Sequence, residues 1–277
     1  MTPAFYYKYT KHSLETLQEL QLKVTPPNAL NDPFEFRPSI QAEMTRKKIE
    51  QLLQNDAELR KLHAQWRKEG CVWDFNELTR QIKRDRESFI ALILDGFQPK
   101  LAEYRRSYQD EVSKQFGVLC LSANCSSILM WSHYADSHKG AVLALDAKHS
   151  FFQDHAFDPV EYSDEKVFLD PTWDEQSKER QSYNRDVIRR KSVQWKYEDE
   201  IRALYRLDTC NKTIIGESTL YFVKIPAELF KKVVFGAKCS AGYREKVKSL
   251  AIQQKLNVQF EEVVLHEDQS ELRFRPM

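Results

Sequence analysis

The sequence contains little glycine and none of the short motifs that identify several common enzyme classes. Only 7 of its 277 residues are glycine, which argues against extended flexible linkers and glycine-rich repeats. No G-x-G-x-x-G, P-loop, G-x-S-x-G or H-E-x-x-H motif occurs. The usual dinucleotide fingerprint, the nucleophile elbow of serine hydrolases and the helical zinc pair are therefore absent.

Cysteine, charge and hydropathy exclude further classes. The five cysteines are odd in number and form no C-x-x-C pair, which fits neither a disulfide framework nor a zinc site. The 42 basic and 41 acidic residues give a net charge of +1, so bulk charge does not indicate nucleic acid or an acidic membrane. No signal-peptide pattern is present, and no apolar run approaches the ~20 residues of a spanning helix. We expect a cytoplasmic protein without a membrane partner.

The pattern of apolar residues predicts the fold class. A hydrophobic content of 42% indicates a folded chain. From about residue 40 to 116, charged residues alternate with apolar ones at helical spacing, whereas short strand-like segments dominate from residue 117 onwards. We predict a single α+β domain over residues 1–277, with small antiparallel or mixed sheets and a long helical insertion at about 40–116, after the first β segment.

Two polar segments near the N-terminus are candidate ligand contacts. In the predicted first strand, alternation places Tyr7 and Tyr9 on one face and Lys8 and Thr10 on the other, so one face packs while the other offers a cation and a hydroxyl. An edge strand with half-buried tyrosines is the alternative. In "NALNDPFEF", the pair Asn31-Asp32 either braces a turn or hydrogen-bonds a ribose or an amide.

The segment "WSHYADSHKGAVLALD" contains the candidates Trp131, Ser132, His133 and Tyr134, and it leads into an apolar strand. His138 lies five residues after His133, which is not the spacing of a helical metal pair. The pattern leaves two readings open, a ligand pocket with Trp131 and Tyr134 as its walls or a purely structural role.

Charged residues mark the start of a later strand in "WKYEDEIRAL". Glu198, Glu200 and Arg202 follow one another at two-residue spacing, so their side chains are expected on one face. The arginine would hold one glutamate ionised, and that glutamate could orient a hydroxyl or stabilise a developing cation. The alternative is an ordinary solvated ion pair, which contributes under ~1 kcal/mol.

Taken in order, "FYYKYT", "LNDPFEF", "VLCLS", "ILMWSHYADSHKGAVLALD" and "WKYEDEIRAL" resemble the bacterial domain-of-unknown-function family numbered 2971. The resemblance extends from Tyr6 to about Lys238, and residues 40–116 look like the variable insertion of that family. The family has no settled function, so this resemblance implies no activity by itself.

A second, less specific resemblance is to ADP-ribosyltransferases. It implies that Lys8 and Thr10 occupy the first-strand position, Ser132 to Tyr134 the middle one, and Glu200 with Glu198 the catalytic glutamate position. Lys8 stands where that fold has His or Arg. Under this resemblance NAD is the substrate, and the cofactor contacts are Tyr7, Lys8, Tyr9, Thr10, Asn31, Asp32, Trp131, Ser132 and Arg202.

Three functions follow as hypotheses. The first is an NAD-dependent ADP-ribosyltransferase-like enzyme that modifies a nucleic acid or protein acceptor, with Glu200, Glu198, Tyr134 and His133 at the reacting centre. The second is a non-catalytic module that binds a nucleotide or nucleic acid, for example as a sensor in phage defence. A metal-dependent hydrolase with ligands Glu198, Glu200 and His133 has no support from spacing, and we expect no metal. The oligomeric state stays open.

Overall fold

A computed structural model describes residues 3–37, 39, 42–169 and 176–277 of the chain. Strands and helices do not alternate regularly, and a run of helices separates the first strands from the rest, which confirms the predicted α+β class. Within the described residues, no helix combines the length and the apolar character needed to cross a membrane.

The strands of the described residues are β1 (Phe5–Thr10), β2 (Gln21–Val24), β3 (Phe116–Ser122), β4 (Ala141–Asp146), β5 (Asp158–Pro159), β6 (Glu161–Tyr162), β7 (Arg190–Lys191), β8 (Glu200–Arg206), β9 (Asn211–Ile215), β10 (Ser218–Lys224), β11 (Phe230–Phe235), β12 (Gln259–Leu265) and β13 (Leu272–Pro276). The α-helices are α1 (Ser13–Glu19), α2 (Ala42–Leu52), α3 (Asp56–Lys68), α4 (Phe75–Arg84), α5 (Arg86–Gln115), α6 (Ile128–Tyr134), α7 (Phe151–Asp154), α8 (Lys178–Arg189) and α9 (Ala241–Gln253). Short 3-10 helices span Pro27–Ala29, Val193–Glu198, Leu207–Thr209 and Ala227–Leu229.

The main sheet has eight strands in the order β13-β12-β11-β4-β1-β3-β8-β5. Its strands pair antiparallel except β11 with β12, which are parallel and are connected through α9. This sheet is larger than the small sheets that the sequence predicted. The reason is that β1 pairs with β3 and β4, which are remote in sequence, and alternation within one strand does not reveal such partners.

Two smaller sheets accompany the main one. The strands β2, β10 and β9 form a three-stranded antiparallel sheet, in which β10 is central. The strands β6 and β7 form a two-stranded parallel pair that ends at Lys191. Lys191, the last residue of β7, lies close to the start of β8 in the chain, and its side chain belongs to the site described below.

Each face of the main sheet is covered by helices. On one face, Leu143 of β4 and Leu121 of β3 share a core with Leu17 of α1 and Val247 of α9. On the other face, a second core forms around the fully buried Trp131 of α6. Because strand residues alternate between faces, β4 contributes Leu143 to the first core and Val142 to the second, and β11 likewise contributes Val233 and Val234.

The chain forms two compact units. The first comprises Met1–Glu35, Asp110–Glu165 and Ile188–Met277, and the second comprises Phe36–Gln109 and Lys166–Val187. The second unit has its own apolar core of residues from α2 to α5, including Leu59, Leu78 and Ile90. The helices α2–α5 correspond to the helical segment predicted for about 40–116, of which residues 40 and 41 lie outside the described residues. The prediction of a single domain stays a prediction.

Candidate functional site

A cluster of buried charges lies at the start of β8, within the first unit. Glu200 and Arg202 are two residues apart on this strand, so their side chains lie on the same face, as predicted. Glu198 lies at the end of the preceding 3-10 helix, and Asp199 turns the chain into the strand with a left-handed backbone (φ 43°). The side chain of Glu198 therefore reaches the cluster from a turn rather than from the strand itself.

Ion pairs hold the cluster together. Arg202 donates from Nε and Nη2 to the two oxygens of Glu200, each at 2.9 Å. Lys191 donates from Nζ to Glu198 Oε2 at 2.5 Å and to Glu200 Oε2 at 3.1 Å. Glu35 also joins the cluster, since its carboxylate lies 3.3 Å from Lys191 Nζ and contacts Arg202 Nη2. All five side chains are at most 6% exposed.

The cluster contains three carboxyl groups and two cations, and its carboxyl groups differ in proton affinity. Burial acts to raise the pKa of Glu200, but Arg202 and Lys191 outweigh it and lower this pKa to about 2. Burial raises the pKa of Glu198 above the ordinary glutamate value against the opposing effect of Lys191. It also raises the pKa of Glu35, against the opposing effects of Arg202 and Lys191. Glu200 thus stays ionised well below the ordinary glutamate range, whereas Glu198 and Glu35 bind a proton more readily than an ordinary glutamate does.

A hydrogen-bonded path connects the cluster to the surface. The hydroxyl of Tyr134, at the end of α6, donates to Glu198 Oε1 at 2.6 Å. Asn31 donates from Nδ2 to that hydroxyl oxygen at 3.1 Å, and Asn31 itself is exposed. Burial, followed by the neighbouring Glu198, raises the pKa of Tyr134, so its hydroxyl keeps its proton. The Tyr134 hydroxyl therefore connects the buried Glu198 carboxyl group to the exposed side chain of Asn31.

Aromatic rings surround this path. The His133 ring lies 6.3 Å from those of Tyr134 and Tyr197, and Trp195 lies 6.1 Å from Tyr197. Lys191 Nζ is 4.9 Å from the centroid of the Trp195 ring, so a cation–π contact joins the rings to the charged cluster. His133 is exposed, and Trp195 and Tyr197 are partly exposed. Such rings can stack on a planar ligand.

Backbone contacts position Glu198 and Glu200. Ser122, the partner of Glu200 in the β3–β8 pairing, donates from Oγ to the carbonyl oxygen of Glu198 at 2.5 Å. The backbone N–H of Glu200 donates to the hydroxyl of Tyr162 at 2.8 Å. These bonds fix the main chain of both glutamates, so their carboxyl groups are free to form the ion pairs.

Several predicted ligand contacts belong to the core instead. Trp131 is fully buried, donates from Nε1 to the carbonyl oxygen of Cys125 at 2.8 Å and meets the ring of Tyr9 edge-on. Tyr9 is also buried and donates to the carbonyl oxygen of Asn124. A ligand cannot reach either ring without displacing its neighbours. The prediction that Trp131 walls the pocket is therefore wrong, because a large ring with a satisfied N–H fills the space between α6 and the sheet.

The first-strand candidates take no part in the ion pairs of the cluster, although the Glu200 carboxylate acts electrostatically on Lys8. Tyr7 pairs with Ser122, and Ser122 pairs with Glu200, so these three residues share one face of the sheet. Alternation therefore places Lys8 on the opposite face, where its Nζ donates to the carbonyl oxygen of Cys120 at 2.9 Å. Thr10 accepts a bond from the N–H of His12. Of the first-strand candidates, Tyr7 and Tyr9 are on the face of the cluster.

Asp32 and Ser132 make local contacts. Asp32 is buried and accepts the backbone N–H of Phe34 at 2.8 Å, which is the turn-bracing reading of this segment. Ser132 donates to the carbonyl oxygen of Ile128 one turn earlier in α6 and lies 3.2 Å from His138 Nε2. The structure thus brings together Asn31, Tyr134, Glu198, Glu200 and Arg202 among the predicted residues.

Two members of the cluster, Glu35 and Lys191, were not predicted. Lys191 precedes Glu198 by seven residues, just before the segment quoted for the glutamates, so a search for a cation balancing two carboxylates could have found it. Glu35 follows the Asn31-Asp32 turn, and no spacing relates it to β8. Its contact with Arg202 depends on tertiary structure alone.

Comparison with family models gives one match. The family described as "Protein of unknown function (DUF2971)" matches residues 130–203. The predicted resemblance is confirmed. The DUF2971 match is shorter than the range from Tyr6 to Lys238 over which we saw the resemblance, but it contains Tyr134, Lys191, Glu198, Glu200 and Arg202. No curated protein and no solved structure matches the chain.

Proposed function

We propose that the chain is an enzyme that binds a nucleotide-like molecule and transfers a glycosyl group from NAD, in the manner of an ADP-ribosyltransferase. One observation carries the proposal. The Tyr134 hydroxyl contacts Glu198 at 2.6 Å, at the outer edge of a buried cluster with more carboxyl groups than cations. Ionisable groups with shifted pKa values beside partly exposed rings are typical of functional sites.

Glu198 is the carboxylate that we assign to the reacting centre. Both oxygens of Glu200 are bound by Arg202, so this residue serves as a fixed negative charge that keeps Lys191 and Arg202 in place. Glu198 has a raised pKa and reaches the surface through Tyr134, so it can exchange a proton with a bound hydroxyl. The sequence hypothesis gave this role first to Glu200.

The rings of His133, Trp195 and Tyr197 support a ligand with a planar base. With the base on these rings, the ribose would lie against Tyr134 and Asn31. A carboxylate there would stabilise an oxocarbenium-like ribose as the bond to nicotinamide breaks. This proposal gives no role to Lys8, which lies on the other face of the sheet. The acceptor, a nucleic acid or a protein, stays open.

The test is release of nicotinamide from NAD. We expect Glu198→Gln and Tyr134→Phe each to lower the rate by about 100-fold or more, because they remove the proton-exchanging pair. Glu228→Gln is the matched control, since Glu228 is an exposed glutamate of the 3-10 helix Ala227–Leu229. If the parent releases nicotinamide and both site variants release it at a similar rate, the assignment is refuted. So would an absence of nicotinamide release with every acceptor class tried.

A non-catalytic nucleotide-binding module is the second candidate, and one observation favours it. Glu198 and Glu200 are only 3% and 6% exposed, and both are ion-paired, so neither carboxylate is open to a ligand in this conformation. Calorimetric titration with NAD and ATP distinguishes the two functions. Binding that Tyr134→Phe weakens, without release of nicotinamide, would favour the module over the enzyme.

A further inference from the structure

We propose that a lysine-lined cavity at the start of β1 binds a small molecule that bears phosphate. The cavity has a volume of about 400 Å³, which is within the usual range for small-ligand sites. Its cations are Lys148, Lys231 and Lys232. This site is distinct from the buried charged cluster and does not depend on the function proposed for that cluster.

The register of the main sheet places the cavity. Lys232 of β11 pairs with Ala144 of β4, which pairs with Tyr7 of β1. From Tyr7 the same row continues through Ser122 to Glu200. Lys232 and Glu200 are thus on one face of the sheet and four strands apart, which corresponds to about 19 Å. A single small ligand does not occupy both places.

The charges of the cavity suit an anion. The lining residues include three lysines and one aspartate, Asp146, and Lys232 is ion-paired with Glu261 at 2.6 Å, so Lys148 and Lys231 are the cations that an anion would meet. Lys231 Nζ lies 3.6 Å from Asp146 in a pair that is about a third exposed on both sides, so this contact is weak and a phosphate can replace it. Lys148 is exposed, and among the described residues no carboxylate lies within ion-pair distance of its Nζ. Lysine binds phosphate as a flexible point charge.

The other lining groups favour a phosphorylated organic molecule over a bare ion. Asn257 and Gln259 contribute side-chain amides, which can both donate and accept hydrogen bonds. Phe5 contributes an aromatic ring, and Lys232 Nζ lies 5.4 Å from its centroid. A lining that combines cations, an aromatic residue and two amide residues fits a phosphate joined to a sugar or a base. Its volume of about 400 Å³ fits a small molecule better than a nucleic-acid strand.

The test is a calorimetric titration of the full chain with pyrophosphate, ribose 5-phosphate and adenosine monophosphate. We expect a phosphorylated sugar or nucleotide to bind more tightly than pyrophosphate. In the double variant Lys148→Gln, Lys231→Gln the affinity should fall by about tenfold or more, because charge-assisted contacts are lost. Lys246→Gln, at an exposed position of α9, is the control and should bind like the parent.

A second variant should change the affinity for phosphate compounds in the opposite direction. Asp146→Asn removes the negative charge from the cavity but keeps a side-chain oxygen that accepts the backbone N–H of Lys148. This variant should therefore bind phosphate compounds several-fold more tightly than the parent. No binding at millimolar concentration, or equal binding by the parent and both variants, would overturn the proposal. Lysine-dependent binding of a single-stranded oligonucleotide in preference to all three small molecules would also overturn it.

Discussion

Arg202 shows how one residue can support several others. Its side chain is almost fully buried and contacts Glu200 twice, Glu35 once and the carbonyl oxygen of Ile188 at 3.1 Å. Burying a guanidinium is costly unless its donors are satisfied, and here two carboxylates and a carbonyl satisfy them. The same contacts keep the Glu200 carboxylate ionised in an environment that would otherwise protonate it.

Removal of Arg202 therefore leaves buried carboxylates without compensation. We expect Arg202→Met to lower the free energy of unfolding by about 3–5 kcal/mol, measured by chemical denaturation at neutral pH. Arg206→Met is the matched control on the same strand, because Arg206 pairs with Asp208 at the surface, where both side chains are more than half exposed. That change should cost under about 0.5 kcal/mol. Equal effects of the two substitutions would contradict this account of the cluster.

At the scale of elements, α6 and the loop after it position Tyr134. The loop has three consecutive residues with left-handed backbones, Asp136, Ser137 and His138, although none is glycine. It is held against the strand β11 by two backbone bonds, from Gly236 N–H to the carbonyl oxygen of Gly140 and from Lys238 N–H to that of His138. The end of β11 thus braces the segment that follows Tyr134.

Gly236 is required at that contact. A Cβ atom at residue 236 would overlap the carbonyl oxygen of His138, which belongs to the backbone and cannot swing away. We expect Gly236→Ala to destabilise the fold by about 2 kcal/mol or more in thermal or chemical unfolding.

Gly242 provides the comparison for Gly236→Ala. No atom lies within 4 Å of a Cβ built on Gly242, which lies in the first turn of α9. Gly242→Ala should be neutral or stabilise by up to about 1 kcal/mol, because alanine favours helix. If Gly236→Ala proved as harmless as Gly242→Ala, the close approach of the loop and β11 would be disproved.

At the scale of the whole molecule, the charged cluster makes stability depend on pH in two opposite ways. Glu200, with a pKa of about 2, contributes stability above the ordinary glutamate pKa of about 4.3, and this contribution is lost as pH falls towards 2. Glu198 has a raised pKa, so its contribution is present below the ordinary pKa and is lost as pH rises through the folded value.

The two effects can be separated by variants. Relative to the parent, Glu200→Gln should lose least stability at the lowest pH, because protonation has by then removed the same charge from the parent. Relative to the parent, Glu198→Gln should improve as pH rises above the ordinary glutamate pKa of about 4.3. Urea unfolding from about pH 2 to about pH 7 measures both, with Glu228→Gln as the control. Parallel profiles for all four proteins would show that the cluster does not govern the pH dependence.

The candidate site was predictable only in part. The two-residue spacing of Glu200 and Arg202 places them on one face of any strand, and Tyr134 and Asn31 were recognised from local motifs. The predicted wall Trp131 proved to be core, because the same aromatic pattern is typical of buried helices and of ligand pockets. Lys8 lies on the other face of the sheet, which depends on the register of β1 against β3.

The sequence by itself determined the α+β class, the helical segment after the first strands and the face shared by Glu200 and Arg202. These features follow from periodicity, which acts over a few residues. Only the tertiary structure decided that Glu35 and Lys191 join the cluster and that Lys148, Lys231 and Lys232 line one cavity. Those groupings depend on strand order and register, which are set by pairing between distant segments and leave no local pattern.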